Sequence, residues 1–198
     1  MKSLKYFFLL STAIVLMSAA TLVKNNYTLA DDYVVTIHGT SNLHDWDEKV
    51  ETVTGDGIVN WNKDGSFDLS AINIKMDVRS IKSDNSVMDN NTYKALKAEA
   101  NPKIIFTLNL PVKSIQAKAN EKIVSAKGNL TIAGVTKPVD MQVKVFMREH
   151  GKLAFEGSQT IKMSDYDVDP PTALLGTIRT GNEITLHFKT NFTQQLNN

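Results

Sequence analysis

The stretch Gly128-Asn129-Leu130-Thr131-Ile132-Ala133-Gly134-Val135-Thr136-Lys137-Pro138-Val139-Asp140-Met141-Gln142-Val143-Lys144-Val145-Phe146-Met147 reads as two runs of alternating polarity joined by a turn. Leu130 and Ile132 end the first run, and Ala133-Gly134-Val135-Thr136 turns the chain. Val139, Met141, Val143, Val145 and Met147 then place five apolar residues on one face of the second run. Asp140, Gln142, Lys144 and Arg148 take the other face, where Phe146 is the apolar exception. Period-two alternation across a Gly-bearing turn predicts an antiparallel hairpin with one dry and one wet face. The two Met residues of the dry face are unbranched and adaptable, which suits an irregular core or a wall that moulds to a flexible apolar guest.

Outward from this hairpin, turn signals divide the chain into eight strands, at 33–40, 49–62, 66–79, 103–114, 121–132, 137–149, 152–163 and 183–191. Asn62-Lys63-Asp64-Gly65 and Glu149-His150-Gly151 are short, Gly-bearing hairpin connections. Eight sequential antiparallel strands predict an all-β, up-and-down barrel, because closure removes the unpaired edges of an open sheet. Ile72, Ile74, Met76 and Val78 share one parity in the third strand, as do Ile104, Phe106, Leu108, Leu110 and Val112 in the fourth. Leu153, Phe155, Ile161 and Met163 do so in the seventh strand, and Ile184, Leu186 and Phe188 in the eighth. These faces are expected to point at a common interior. Gly55 and Gly57 predict a bulge or sharp bend in the second strand.

Two segments interrupt the meander. Residues 84–100 carry Tyr93-Lys94-Ala95-Leu96-Lys97-Ala98, a short helix between strands three and four with Val87, Met88, Tyr93 and Leu96 as an apolar patch; Asn101-Pro102 ends it. Residues 164–182 contain Pro170-Pro171 and then Thr172-Ala173-Leu174-Leu175-Gly176. Long excursions in a tightly turned barrel are often functional, so both are candidate covers for a mouth.

The first residues read as an address. Lys2 and Lys5 precede an apolar run over 6–17, and Ser18-Ala19-Ala20 offers a cleavage site, so 1–20 is expected to be a signal peptide and 21–198 the barrel domain, periplasmic or secreted. No Cys follows, which excludes a lipid-modified amino terminus. The chain has 22 basic and 21 acidic residues; losing Lys2 and Lys5 leaves 20 against 21, without a basic cluster to bind nucleic acid. Zero Cys also removes disulfides and thiol chemistry, leaving burial and sheet hydrogen bonds to hold the fold.

These landmarks resemble the YceI-like family of exported, lipocalin-like barrels. The matching elements are Gly39-Thr40-Ser41-Asn42-Leu43-His44-Asp45-Trp46, Val78-Arg79-Ser80-Ile81, Asn101-Pro102-Lys103-Ile104-Ile105-Phe106 and the 128–139 hairpin. The resemblance covers nearly all of the chain after residue 20. It implies an eight-stranded barrel whose apolar pore holds a polyisoprenoid, an isoprenoid quinone or another long-chain amphiphile. Two motifs depart from the family pattern. Met88-Asp89-Asn90-Asn91-Thr92-Tyr93 stands for the usual Arg-Asp-x-His-Leu and keeps only its acid, and Met163-Ser164-Asp165-Tyr166-Asp167-Val168 replaces an Arg-Ser-Asp-Phe-Gly-like segment.

Chemistry-bearing residues give weaker signals. His44-Asp45 invites acid–base pairing, but neighbours on a strand face opposite ways, so Trp46 plugging a barrel end with His44 hydrogen-bonded nearby is favoured, ahead of ligand contact. His38, His44, His150 and His187 lack the short spacing of a metal set, and Asp165, Asp167 and Asp169 lack the turn Gly and distal Glu of a Ca²⁺ loop. Phosphate-binding loops and nucleophile elbows are absent.

The expectation is therefore a non-catalytic carrier with no cofactor beyond a bound lipid, with transient membrane or envelope-protein contact and no nucleic-acid partner. The rival from another class is an envelope stress or protein-interaction module that uses a solid barrel as scaffold; an enzyme acting on a lipid precursor ranks third. The expected ligand contacts are Ile72, Ile74, Met76, Phe106, Leu108, Met141, Val143, Val145, Phe155, Met163, Leu186 and Phe188 on the strands. Tyr93 and Leu96 on the helix, with Leu174, Leu175 and Ile178 on the late loop, are expected to line or close the mouth.

Overall fold

The opening hairpin forms as its pattern dictates, with a tighter turn than the four residues expected. Val135 pairs directly with Ile132, leaving Ala133 and Gly134 as a two-residue loop, both at positive φ (49° and 87°). That left-handed pair matches the twist of the flanking strands. Gly134 is suited to its place, since a Cβ there would meet the Asn101 side chain at 2.9 Å. Met141, Val143 and Val145 are buried, while Asp140, Gln142 and Lys144 are exposed.

This computed structural model describes residues 24–116 and 121–195; the expected signal peptide at 1–20 lies outside them. Thirteen strands run in chain order among the described residues: β1 Lys24–Leu29, β2 Val34–Ser41, β3 Trp46–Val50, β4 Val53–Trp61, β5 Phe67–Asp77, β6 Ile81–Lys82, β7 Lys103–Leu108, β8 Val112–Ile115, β9 Lys122–Ile132, β10 Val135–Met147, β11 Leu153–Lys162, β12 Thr172–Ala173 and β13 Ile178–Gln194. Apart from β12, which pairs only with β13, they merge into eight barrel staves, because β1 with β2, β3 with β4, β5 with β6 and β7 with β8 are single staves broken by kinks. All pairings are antiparallel, and β13 closes the barrel by pairing with β2 along 180–189 and β1 along 192–194. The up-and-down, lipocalin-like architecture expected from the sequence is thus the one observed.

Several boundaries differ from the sequence reading. β1 was not anticipated, since Lys24-Asn25-Asn26-Tyr27-Thr28-Leu29 is mostly polar, yet Tyr27 and Leu29 are buried. β13 is nearly twice as long as the expected 183–191, and Ile178 belongs to it rather than to a loop. The break in the second stave falls at Glu51-Thr52, not at Gly55 and Gly57. There Tyr33 Oη donates to Glu51 O (2.8 Å) and accepts from Val53 N (3.0 Å), and Thr52 N donates to Ser80 Oγ (2.9 Å), so side chains replace the interrupted ladder. The irregularity in the β4–β5 register lies at Ile58/Val59. The fourth stave breaks at residues 109–111, which turns Leu110 out to 61% exposure instead of inward.

The inward glycines serve close approach. Gly39 lies under the Trp46 ring, where an added Cβ would stand 2.1 Å from ring carbon, and Gly128 lies against Phe106 and Thr107 O at 2.3 and 2.5 Å. Large rings thereby cross the barrel wall without widening it.

α1 spans Ser86–Ala95, beginning well before the expected Tyr93. Asn85 caps it, its Oδ1 accepting from Val87 N and Met88 N at 2.9 and 3.3 Å, a signal strong enough to start a helix despite a polar first turn. Beyond the helix, Lys97 takes positive φ (52°) and turns the chain toward Pro102. The 164–182 excursion is partly ordered, with a 3₁₀ turn at Met163–Tyr166, a tight turn at Leu174–Gly176 that passes through left-handed backbone at Leu175, and β12 paired to the start of β13.

Candidate functional site

Alternation drives the inward residues of all eight staves into one interior, which is not filled solid. Two cavities are stacked inside. The upper one, about 250 Å³, lies beneath α1 and the 163–173 segment. The lower one, about 110 Å³, occupies the mid-barrel. Val35, Gln159 and Leu186 line the lower cavity and Ile37, Ile161 and Ile184 the upper one; each pair is two residues apart on one strand, about 7 Å along it.

The lower cavity collects ten of the expected contacts. Ile72, Ile74 and Met76 come from β5, Phe106 and Leu108 from β7, and Met141 and Val143 from β10. Phe155 of β11 and Leu186 and Phe188 of β13 complete that set. Its polar side chains are Gln159, which donates to Thr160 O, and Thr190, which donates to Phe155 O, so each has a partner within the wall.

Leu96, Met163 and Ile178 line the upper cavity instead. The remaining expected contacts fall elsewhere. Val145 is fully buried and touches neither cavity, because β10 packs that position into solid core. Tyr93 also lines neither; its hydroxyl donates toward Arg79 O (3.0 Å) and Ile81 O (2.8 Å), and its ring lies beneath the Arg79 and Lys82 cations. Leu175 projects wholly into solvent at positive φ (57°), so it cannot close the mouth from inside. The side chain of Leu174 lies outside the described structure.

The mouth holds what the sequence reading missed. Trp46, Glu48 and Val50 share the inward parity of β3, and Glu48 is only 2% exposed while facing the upper cavity. Thr92 of α1 donates to its Oε1 at 2.6 Å, the single hydrogen bond the carboxyl makes among the described residues. Burial holds the Glu48 carboxyl up at about 7, with the Thr92 hydrogen bond opposing and the Asp89 charge assisting. The sequence reading began this strand at Lys49, three residues after its start at Trp46 and just past Glu48; alternation with Trp46 and Val50 was the signal that could have found Glu48.

His44 and Trp46 also line the upper cavity. Trp46 Nε1 donates to Thr40 O (3.0 Å), and His44 Nδ1 donates to Asp45 O (2.7 Å), so His44 and Asp45 form no side-chain dyad. Asp89, the acid retained from the family motif, stays outside the cavity lining. It accepts from Ser83 N and Oγ (2.8 and 2.7 Å) and pairs with Lys82 (3.4 Å), tying α1 to the barrel. Burial pushes Asp89 up, but these partners outweigh it and hold the carboxyl below its usual range. Among the described residues no group of three or more His, Cys, Asp or Glu side chains converges as a metal set would.

A closed antiparallel barrel of eight staves, hollow and apolar within and covered at one end by a short helix, belongs to the lipocalin-like class of small barrels. Comparison with known proteins makes this specific. The model of the YceI-like domain matches residues 28–192, and the chain belongs to that family. A UPF0312 protein of Pseudomonas aeruginosa is 31% identical over 119 residues, covering 53% of this chain and 59% of the relative. One from Pseudomonas paraeruginosa is 37% identical over 60 residues, 28% of this chain and 31% of the relative; the chain spans less than two thirds of either. Among solved structures, a polyisoprenoid binding domain from Saccharophagus degradans superposes with a TM-score of 0.67 at 14% identity, covering 85% of this chain and 98% of that one. Burkholderia cenocepacia BcnA gives 0.60 at 17% identity, covering 80% and 95%. At these identities the likeness is one of fold.

Proposed function

We propose that this protein is an exported carrier that sequesters the apolar tail of a polyisoprenoid, isoprenoid quinone or similar long-chain lipid in its barrel and passes it on without chemistry. The observation that carries the reading is the pair of stacked cavities, about 250 and 110 Å³, which together reach the lower end of the usual range for small-molecule sites, about 300 to 1,000 Å³. A solid interior would have favoured the scaffold alternative. Affinity would come from buried methylenes, at roughly 0.8 kcal/mol each before ordering costs. The signal-peptide reading of residues 1–20 supports export to the periplasm or medium, and fold likeness to a polyisoprenoid binding domain supports the ligand class. Lipid extraction from protein purified out of the envelope fraction, followed by mass spectrometry, tests it. A near-stoichiometric prenyl or other long-chain lipid is expected; protein that emerges lipid-free and takes up no prenyl lipid on incubation would overturn the proposal.

A further inference from the structure

Among the described residues, the upper cavity differs from the lower one in holding an ionisable group with no Lys or Arg in its lining. Glu48 projects into it from β3, 2% exposed, with Thr92 as its one hydrogen-bond donor among the described residues. The titratable groups nearest Glu48 are His44 from the β2–β3 turn, Tyr166 from the Met163–Tyr166 turn and, through α1, Asp89, whose partner Lys82 lies outside the cavity lining. Tyr166 is buried and its hydroxyl is held above its usual range by that burial, so it stays neutral; Asp89 adds negative potential. Around this acid the wall is mainly apolar, with Met88, Leu96 and Ile104 among its members.

A buried carboxyl with one donor and no cation is costly to maintain and serves packing poorly, whereas it suits a ligand group that supplies what is missing. We propose that the upper cavity is a head-group subsite in which Glu48 accepts a hydrogen bond from the head of the bound amphiphile, selecting a hydrogen-bond-donating, non-anionic head such as a primary alcohol over a phosphate. This rests on the carrier reading, since the tail must occupy the lower cavity for its head to reach Glu48. The selectivity follows from charge. An alcohol donates to the carboxylate, while a phosphate brings like charge into a pocket of low polarity beside an acid that burial already makes reluctant to ionise.

The test is direct binding, by calorimetry at pH 8.5, of three probes with one tail: farnesol, farnesyl methyl ether and farnesyl phosphate. Farnesol should bind about tenfold or more tightly than either of the others, the worth of one hydrogen bond to a charged acceptor. In Glu48→Gln, shown to be folded by circular dichroism, removal of the charge should bring phosphate and alcohol to within about threefold of each other. Should that variant fail to fold, the wild-type ratios still decide. Equal binding of all three probes, or phosphate bound as tightly as alcohol, overturns the subsite and leaves tail binding standing. A folded Glu48→Gln protein that keeps the wild-type preference also overturns it. Binding of none of the three removes the carrier reading together with the subsite.

Discussion

At the scale of single residues, Glu48 makes a prediction that needs no ligand. Its carboxyl is held at about 7 against an ordinary 4.5, so between those values the folded chain keeps a proton that the unfolded chain has released. Stability from this group is therefore complete below about 4.5, falls as pH rises toward 7 and is level above it, a loss on the order of 3 kcal/mol. Asp89 acts oppositely and lower, since its depressed carboxyl loses its contribution only as pH falls through the acid range. Urea unfolding of wild type and Glu48→Gln from pH 4.5 to 8 isolates the Glu48 share. The variant should show a flatter limb across this window, and parallel curves would mean that the ionisation of Glu48 costs the fold nothing. Residue-level legibility was uneven for a physical reason. Met141 and Val143 were readable because dry alternation states their direction, whereas Glu48 is a polar residue on the inward parity, which composition-based strand limits discard.

At the scale of elements, eight staves were legible because each keeps period-two alternation over several residues. Their kinks were not, because they answer to closure: staves in a small barrel must bend and stagger, and where they bend depends on partners distant in sequence. Tyr33, bridging the Glu51-Thr52 break, is 20 residues from the amide it accepts from. Polar β1 was missed since its ladder partners in β4 and β13, rather than its own side chains, make it a strand. α1 was found but placed late, because the Asn85 cap outweighs the helix preference of the later Lys-Ala-Leu run. Gly55 and Gly57 read as a bulge or bend but instead leave room for the Ile74 and Ile72 side chains, while Gly39 and Gly128 are clearances for the Trp46 and Phe106 rings. Gly128→Ala should consequently cost about 1–3 kcal/mol, as overpacking does, since the new methyl meets Phe106 and the backbone oxygen of Thr107. Gly65→Ala is the contrasting control, with open space around it and only positive φ against it. Thermal melts of the two variants compare them; a Gly128→Ala protein as stable as wild type would show that the wall is looser than its contacts imply.

At the scale of the whole molecule, barrel closure puts the ten lower-cavity contacts around one axis, and the mouth elements set a different, partly polar chamber on top of them. The candidate site was legible in its apolar wall and illegible at its mouth, where Leu175 turned to solvent and the 163–173 segment supplied Tyr166 and Val168 to the lining instead. Methionine positions give the central claim its most direct test. Met76 and Met141 line the lower cavity, Met88 and Met163 the upper, and Met147 neither. With ¹³C-methyl-labelled methionine, titration of the protein with farnesol should shift the resonances of Met76, Met141, Met88 and Met163 and leave that of Met147 in place. Shifts confined to Met147, or none at the four cavity methyls while the ligand binds, would contradict a lipid held inside the barrel.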